Sequence, residues 1–372
     1  MKTILLSLFT VLCFSSMAQT TVNDSFVHDG IYRNYRVYIP AIYDGSEPVP
    51  LLFNLHGYTS NAIEQEFYGD FRPIADTANF IVVHPNGTGP AGGQFWNGYT
   101  LSAPNDVGFI EALIDSLSVQ YNINANRVYS CGMSNGGIMS YFLADHLNHK
   151  ITAIGSVTGS MTHAVLASST PADNIPTIEI HGTADGVVPY NGDATFAPID
   201  SIVDFWADFN GCNPAPLVIP YPNTATGDGC TATEYAYSGG VDGSEVVLVK
   251  ITGGGHTWPG APVTIGVTNQ DFDASVRLWQ FFMKFDKGQF IGVPEQMGKT
   301  QFTHIYPNPA NAYINIDGLM QGNHVMLVNS LGKTVLNLVA NELPMKIDMR
   351  AYNPGIYILV AGNEKHVLVI SK

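Results

Sequence analysis

Positive charge is scarce in this chain. Only 16 of the 372 residues are Lys or Arg, against 31 Asp and Glu, for a formal net charge of -15. That balance excludes nucleic acid and acidic membrane surfaces as partners, because both demand basic patches. Long apolar runs are lacking too. No segment reaches the roughly 18 consecutive apolar residues of a stable membrane span. Cysteine is limited to 4 residues, and the one metal-like spacing, His146-x-x-His149, has no third ligand nearby, so a solvated helix end is expected there and no metal or other cofactor. Charged residues amount to 13%, alongside 37 Gly and 18 Tyr, a texture more typical of extracellular than of cytosolic proteins.

The two ends of the chain differ from its middle. Met1-Lys2, an apolar run from Ile4 to Phe14 and then Ser15-Ser16-Met17-Ala18 form the three parts of a secretory signal peptide, with cleavage expected after Ala18. Leu12 before Cys13 argues against a lipoprotein site. Of the three remaining cysteines, Cys212 and Cys230 flank a Pro-, Asn- and Gly-rich excursion and are the expected disulfide pair in an oxidising compartment. Cys131 is read as a packing residue.

The length suits one large domain plus an appendage. Residues 19–285 form the expected catalytic domain, 286–301 a linker, and 302–372 a run of short alternating strands with frequent turns, the pattern of a small β-sandwich. Ile305-Tyr-Pro-Asn-Pro309, Tyr352-Asn-Pro-Gly-Ile-Tyr-Ile-Leu359 and the terminal Lys372 resemble the type A C-terminal sorting domain that Bacteroidota attach to cargo of their type IX secretion system. The resemblance implies passage through the periplasm, engagement of that machinery, and a secreted or cell-surface product.

Between the ends, Ser25 to His28 and Tyr35 to Ile39 flank Asp29-Gly30, a hairpin signal. Pro48 to Leu55 is a continuous apolar run ending at His56-Gly57, as expected of a strand buried on both faces. Phe80 to Pro85 repeats the theme after a helical stretch. Asp106 is expected to cap a helix whose Ile110, Leu113, Ile114 and Leu117 share a face. Strands over 151–157, 177–180 and 245–251 then alternate with helices over 199–209 and 272–285. This pattern predicts an α/β fold with a mostly parallel central sheet, helices on both faces, and functional groups beyond the strand C-termini.

One such C-terminus carries chemistry. Arg127 to Ala144 reads as strand, sharp turn and helix, and Gly132-Met133-Ser134-Asn135-Gly136 fits G-x-S-x-G, in which the serine sits at the tip of a strained turn. The glycines are a steric requirement of that turn, and the following helix points its N-terminus at the reacting centre. Ser134 needs a base, and the base an orienting acid, in the chain order serine, acid, histidine. Asp185 follows the strand ending Ile175 to Ile180, and His256 follows the next one; Asp173, Asp193 and Asp200 follow no strand directly. Among rival histidines, His163 lacks a strand before it, His181 belongs to a strand end, and His304, His324 and His366 lie in the tail. The oxyanion donors are expected to be the backbone amides of Asn135 and Tyr58.

Leu55-His-Gly57, Gly132-Met-Ser-Asn-Gly-Gly137, His181-Gly-Thr-Ala-Asp185 and Gly253-Gly-Gly-His-Thr-Trp-Pro-Gly260 resemble the secreted esterase and polyhydroxybutyrate depolymerase family, which includes feruloyl esterases of carbohydrate esterase family 1. The resemblance spans about Ser25 to Phe285. It implies an α/β-hydrolase fold with Ser134, Asp185 and His256 as the triad. Feruloyl or acetyl esters of plant polysaccharides are the expected substrates, with a polyhydroxyalkanoate depolymerase as the alternative. A serine peptidase is disfavoured because no propeller or large lid region precedes the core, and a non-catalytic glycan-binding protein would predict a broken triad. Trp96 and Trp258, in loops beside these motifs, are the expected platform for an aromatic acyl group or a sugar ring.

Overall fold

The computed structural model describes residues 19–89, 93–289 and 304–371, apart from 318, 320, 330–332, 342, 362 and 363. The expected leader over 1–18, and the expected linker beyond Gln289, lie outside the described residues. The chain divides into two compact units, Met1–Ile291 and Gly292–Lys372.

The first unit begins with the hairpin β1 (Thr20–His28) and β2 (Ile31–Ile39). Its turn places Asp29 and Gly30 at φ 49° and 75°, the two left-handed positions that a two-residue hairpin loop requires. Next come β3 (Val49–Leu55), α1 (Ala62–Tyr68), α2 (Arg72–Ala78) and β4 (Ile81–Pro85). All residues of β3 and β4 are buried. Then follow α3 (Asp106–Gln120), β5 (Ile123–Met133), α4 (Asn135–His146), β6 (Ala153–Val157), α5 (His163–Ser168), β7 (Thr177–Gly182) and α6 (Ile199–Phe209). The unit closes with β8 (Leu217–Pro220), β9 (Thr231–Tyr237), β10 (Val246–Thr252) and α7 (Ala274–Phe282).

The ten strands form one sheet in the order β1-β2-β4-β3-β5-β6-β7-β10-β9-β8. From β4 to β10 every neighbouring pair is parallel, while β1 with β2 and β8 with β9 add antiparallel edges. Residues alternate across the sheet. Leu51, Phe53 and Leu55 face a core shared with α3, α4 and α6, whereas Leu52 faces the opposite core with Phe71, Ala75 and α7. A strand covered on both sides has no solvent face, which is why these strands read as continuous apolar runs. This is the α/β-hydrolase arrangement.

Three expectations are corrected here. Asp106 does not cap α3; Asn105 does, its Oδ1 accepting from the Gly108 amide at 2.9 Å, and Asp106 instead pairs with the buried Arg33 at 2.7 Å. The stretch between Cys212 and Cys230 is not a simple excursion, since it holds β8. Nor are those cysteines bonded; Cys131, Cys212 and Cys230 are all free thiols. Cys212 packs against the face that carries α6, and Cys230 belongs to the core on the opposite face, so the sheet stands between them.

The second unit comprises β11 (His304–Tyr306), β12 (Tyr313–Asp317), β13 (His324–Asn329), β14 (Thr334–Val339), β15 (Met345–Asp348), β16 (Gly355–Ala361) and β17 (Glu364–Ile370). Sheets β11-β12-β15 and β14-β13-β16-β17 enclose one core, with Ile314, Ile316 and Ile347 on one side and Val325, Leu327 and Leu359 on the other. It is a small β-sandwich. Among the described residues of the whole chain, no helix is long and apolar enough to cross a membrane.

Candidate active site

The turn between β5 and α4 holds Ser134 at φ 55° and ψ -117°, a backbone state that a non-glycine residue adopts only where its surroundings impose it. The imposing contacts are visible. The Ser134 amide donates to Val157 O at 2.8 Å, and its carbonyl accepts from the Ile138 amide at 2.9 Å. A Cβ on Gly132 would lie 2.6 Å from Leu55 O, and one on Gly136 only 2.1 Å from the same atom. The elbow glycines are therefore required by the close approach of β3, not by their own dihedral angles.

Hydrogen bonds continue across the C-terminal edge of the sheet. The Thr158 amide donates to Ile180 O at 2.9 Å, and the Thr183 amide to Ile251 O at 2.8 Å. Gly182 lies so close to the following loop that a Cβ there would stand 2.2 Å from Gly254 O. These contacts set the loop after β7 against the loop after β10. As a result Asp185 Oδ2 and His256 Nδ1 lie 2.7 Å apart. Asp185 Oδ1 accepts from the amides of Val187 and Val188 at 2.8 and 2.9 Å. Burial alone would raise the Asp185 carboxyl; the bond and charge of His256, with the two amides, outweigh it and hold it below the usual carboxylate range. A carboxylate against Nδ1 keeps the imidazole proton there and leaves Nε2 as the basic nitrogen.

Ser134 stands on the same edge, directly after β5, with β6 and β7 between β5 and β10. Among the described residues no hydrogen bond joins Ser134 to His256. Over the elbow passes the loop after β3: a Cβ on Gly57 would lie 3.5 Å from Ser134 Cβ. The amides of Tyr58 and Asn135 donate to no acceptor among the described residues, the condition an oxyanion site needs.

Residues 102–203 match the phospholipase/carboxylesterase family model, and residues 304–372 match the secretion system C-terminal sorting domain. Feruloyl esterase C of Emericella nidulans is 30% identical over 258 residues, which cover 68% of this chain and 84% of that protein. The chain belongs to the carboxylesterase family that includes the feruloyl esterases. The tail marks this esterase for export by type IX secretion. Feruloyl esterase D of Neurospora crassa is 28% identical over 270 residues, 69% of this chain and 84% of the relative. The bifunctional acetylxylan esterase/xylanase XynS20E of Neocallimastix patriciarum is 27% identical over 237 residues, and the match spans 64% of the esterase but only 33% of that longer protein. An acetyl xylan esterase from Aspergillus awamori shares the fold, with a TM-score of 0.50 at 13% identity over 70% of this chain and 99% of its own.

The esterase also holds its site through hydrogen bonds that motif reading did not foresee. His56 is buried, donates from Nδ1 to Gly57 O at 2.7 Å, and accepts at Nε2 from the Gly87 amide at 2.9 Å. Acceptance at Nε2 requires the neutral ring, and burial, outweighing the Gly57 bond, pushes its pKa down to about 4. Trp96 Nε1 donates to His56 O at 3.0 Å, the Trp96 amide donates to Asn135 Oδ1 at 2.6 Å, and Asn135 Nδ2 donates to Trp96 O at 3.0 Å. This closed circuit fixes the loop of Tyr58 against the elbow of Asn135. On the other side, the Val188 carbonyl accepts only, so His181 Nε2 must donate to it at 2.8 Å, while His181 Nδ1 faces Glu179 Oε1 at 2.8 Å. The pair braces the turn whose amides hold Asp185.

Trp96 and Trp258 are corrected. Trp96 is 0% exposed and Trp258 1%. Trp96 spends its N–H on His56 O, and Trp258 packs on Phe71 and donates to Ser275 Oγ at 3.2 Å. Neither offers a ring face to a ligand. The exposed apolar side chains next in sequence to the site residues are instead Tyr58, after Gly57, and Val187, two residues after Asp185. Tyr58 was marked in the sequence for its amide; the exposure of Val187 left no signal there, because loop exposure has no periodicity.

Proposed function

We propose that the esterase is a secreted serine carboxylester hydrolase that works through an acyl-enzyme on feruloyl or acetyl esters of plant cell-wall polysaccharides. The observation that carries this reading is the 2.7 Å contact of Asp185 with His256 on the sheet edge where Ser134 sits in its strained turn. His256 Nε2 takes the Ser134 hydroxyl proton as Oγ attacks the ester carbonyl. Asp185, held as carboxylate, stabilises the imidazolium. Negative charge on the carbonyl oxygen falls to the free amides of Tyr58 and Asn135 and to the N-terminus of α4. The proton on His256 then passes to the leaving alcohol, and water, activated by the same imidazole, cleaves the acyl-enzyme to release acid and regenerate Ser134. Relatives named as feruloyl and acetylxylan esterases support the substrate class. The exposed side chains of Tyr58 and Val187, each 63% accessible, supply apolar surface beside the oxyanion donor and the acid. Export proceeds by leader cleavage after Ala18, transit of the periplasm and recognition of the tail.

The test is release of ferulate from feruloylated arabinoxylan oligosaccharide, acetate from acetylated xylan, and hydroxybutyrate from its polyester, by wild type and Ser134→Ala. The proposal expects release from one of the first two substrates, reduced at least about 10³-fold by the substitution. Release from the polyester alone would overturn the substrate class, and full activity of Ser134→Ala would overturn the nucleophile.

A further inference from the structure

A cavity of about 340 Å³ runs beside α4, between the loop of residues 99–101 and the α5 helix. Its link to the active centre is Tyr99. Tyr99, 37% exposed, lines the cavity, and the Tyr99 hydroxyl is 3.5 Å from Asn135 Nδ2, on the residue after Ser134. It extends along the helix to Phe142 and His146. Phe142 lies eight residues beyond Ser134, about 12 Å at 1.5 Å per residue, so a group lodged there is one short chain away from the reacting carbonyl.

The lining specifies the ligand's chemistry. Its polar groups are the hydroxyls of Thr100, Ser168 and Thr170, the Asp145 carboxylate and the His146 imidazole, and its lining contains no Lys or Arg. An anionic ligand would find a carboxylate and no cation. A flat aromatic acid would find too little apolar wall. A neutral polyhydroxylated ligand finds both donors and acceptors, with the partly open Tyr99 ring for its C–H face. The site is also built. Asp145 Oδ1 accepts from the Thr170 amide at 2.9 Å, which ties the wall after α5 to α4. His146 Nδ1 donates to Phe142 O at 3.1 Å, and the two rings stack with centroids 4.1 Å apart. The Ser168 hydroxyl donates to Ala164 O at 2.9 Å and keeps its acceptor capacity. The volume lies at the lower end of the range of about 300 to 1,000 Å³ for small-ligand sites.

We propose that this cavity is a saccharide subsite that holds the alcohol portion of a polysaccharide ester while Ser134 attacks the acyl carbonyl. The proposal rests on the ester-hydrolase reading above and extends it to the leaving-group side. The test uses Ser168→Trp, which places a ring in the cavity from the exposed end of α5, and Thr170→Trp, which does so from the neighbouring loop; thermal unfolding selects whichever folds as wild type. Two readouts are taken. The first is calorimetric affinity for an arabinoxylan oligosaccharide carrying no acyl groups, on the Ser134→Ala background. The second is the ratio of kcat/KM for feruloylated arabinoxylan oligosaccharide to that for methyl ferulate. The expected result is measurable binding of the bare oligosaccharide, weakened about tenfold or more by the bulky residue, with a similar fall in the ratio. No binding, or binding and a ratio indifferent to the substitution, overturns the subsite. Sugar-ester hydrolysis with an unaffected ratio would leave the function standing and remove the subsite. Bare-sugar binding lost on substitution, without any sugar-ester hydrolysis, would keep the subsite and remove the function.

Discussion

At the residue scale, the candidate catalytic groups are surrounded by buried polar side chains whose protonation is fixed. His56 must stay neutral to accept from the Gly87 amide, and His84, also buried, accepts at Nε2 from Asn54 Nδ2 at 3.3 Å. Burial lowers both to about 4, against about 6.5 in the unfolded chain. The sign follows. Below about pH 6.5 the unfolded state binds protons that the folded state refuses, so stability present above that pH is lost as pH falls toward about 4. For His84→Gln, which removes one such group away from the site, the loss between pH 7 and 4.5 should be smaller than in wild type by on the order of 2 kcal/mol. Urea unfolding at the two pH values measures it. Equal losses in the two proteins would show that His84 is not held neutral.

At the element scale, the strand-to-loop transitions at the C-terminal edge of the sheet position the chemistry, and they were the most legible part of the sequence. Continuous apolar runs marked β3, β4 and β10, and β3 and β10 ran into the glycine-bearing loops of Tyr58 and His256. What the sequence concealed depends on through-space contacts. The N-cap of α3 fell one residue earlier than expected because Asp106 is drawn to Arg33, some 70 positions away. Trp96 read as an exposed loop residue because nothing local announces its bonds to His56 and Asn135. β8 and β9 were missed beside Pro and Gly that pointed to a loop. The elbow's glycine requirement yields a contrast. A methyl on Gly136 would meet Leu55 O at 2.1 Å, whereas one on Gly186, in the turn after Asp185, meets nothing within 4 Å. Gly136→Ala should lose about 10²-fold or more in kcat/KM through displacement of Ser134, and Gly186→Ala should stay within about twofold. Comparable activities would mean that the elbow tolerates a shift of β3 away from it.

At the scale of the whole molecule, the two units draw on separate sets of core residues, 35–285 for the first and 310–370 for the second. The first unit is large enough to bury two apolar cores, one on each face of its sheet, and gains its rigidity from them. The sequence context of an exported protein led to the expectation of a bridge between Cys212 and Cys230; the sheet between them rules it out. Thiol labelling of the denatured, unreduced mature protein should therefore modify Cys131, Cys212 and Cys230 alike. Labelling of Cys131 alone would mean that the last turn of α6 and the start of β9 are arranged differently from the structure described. The net charge of -15 and the export tail belong to the same scale.

The central claim is that Ser134 is activated by His256 for attack on an acyl carbon. Mass-spectrometric mapping of the adduct left by a fluorophosphonate tests it directly, because that reagent phosphonylates only a serine whose proton is being removed. The account predicts a single adduct on the peptide carrying Ser134 in wild type, and labelling slowed at least about 10³-fold in His256→Gln. An adduct on another serine, or undiminished labelling of the variant, would contradict it.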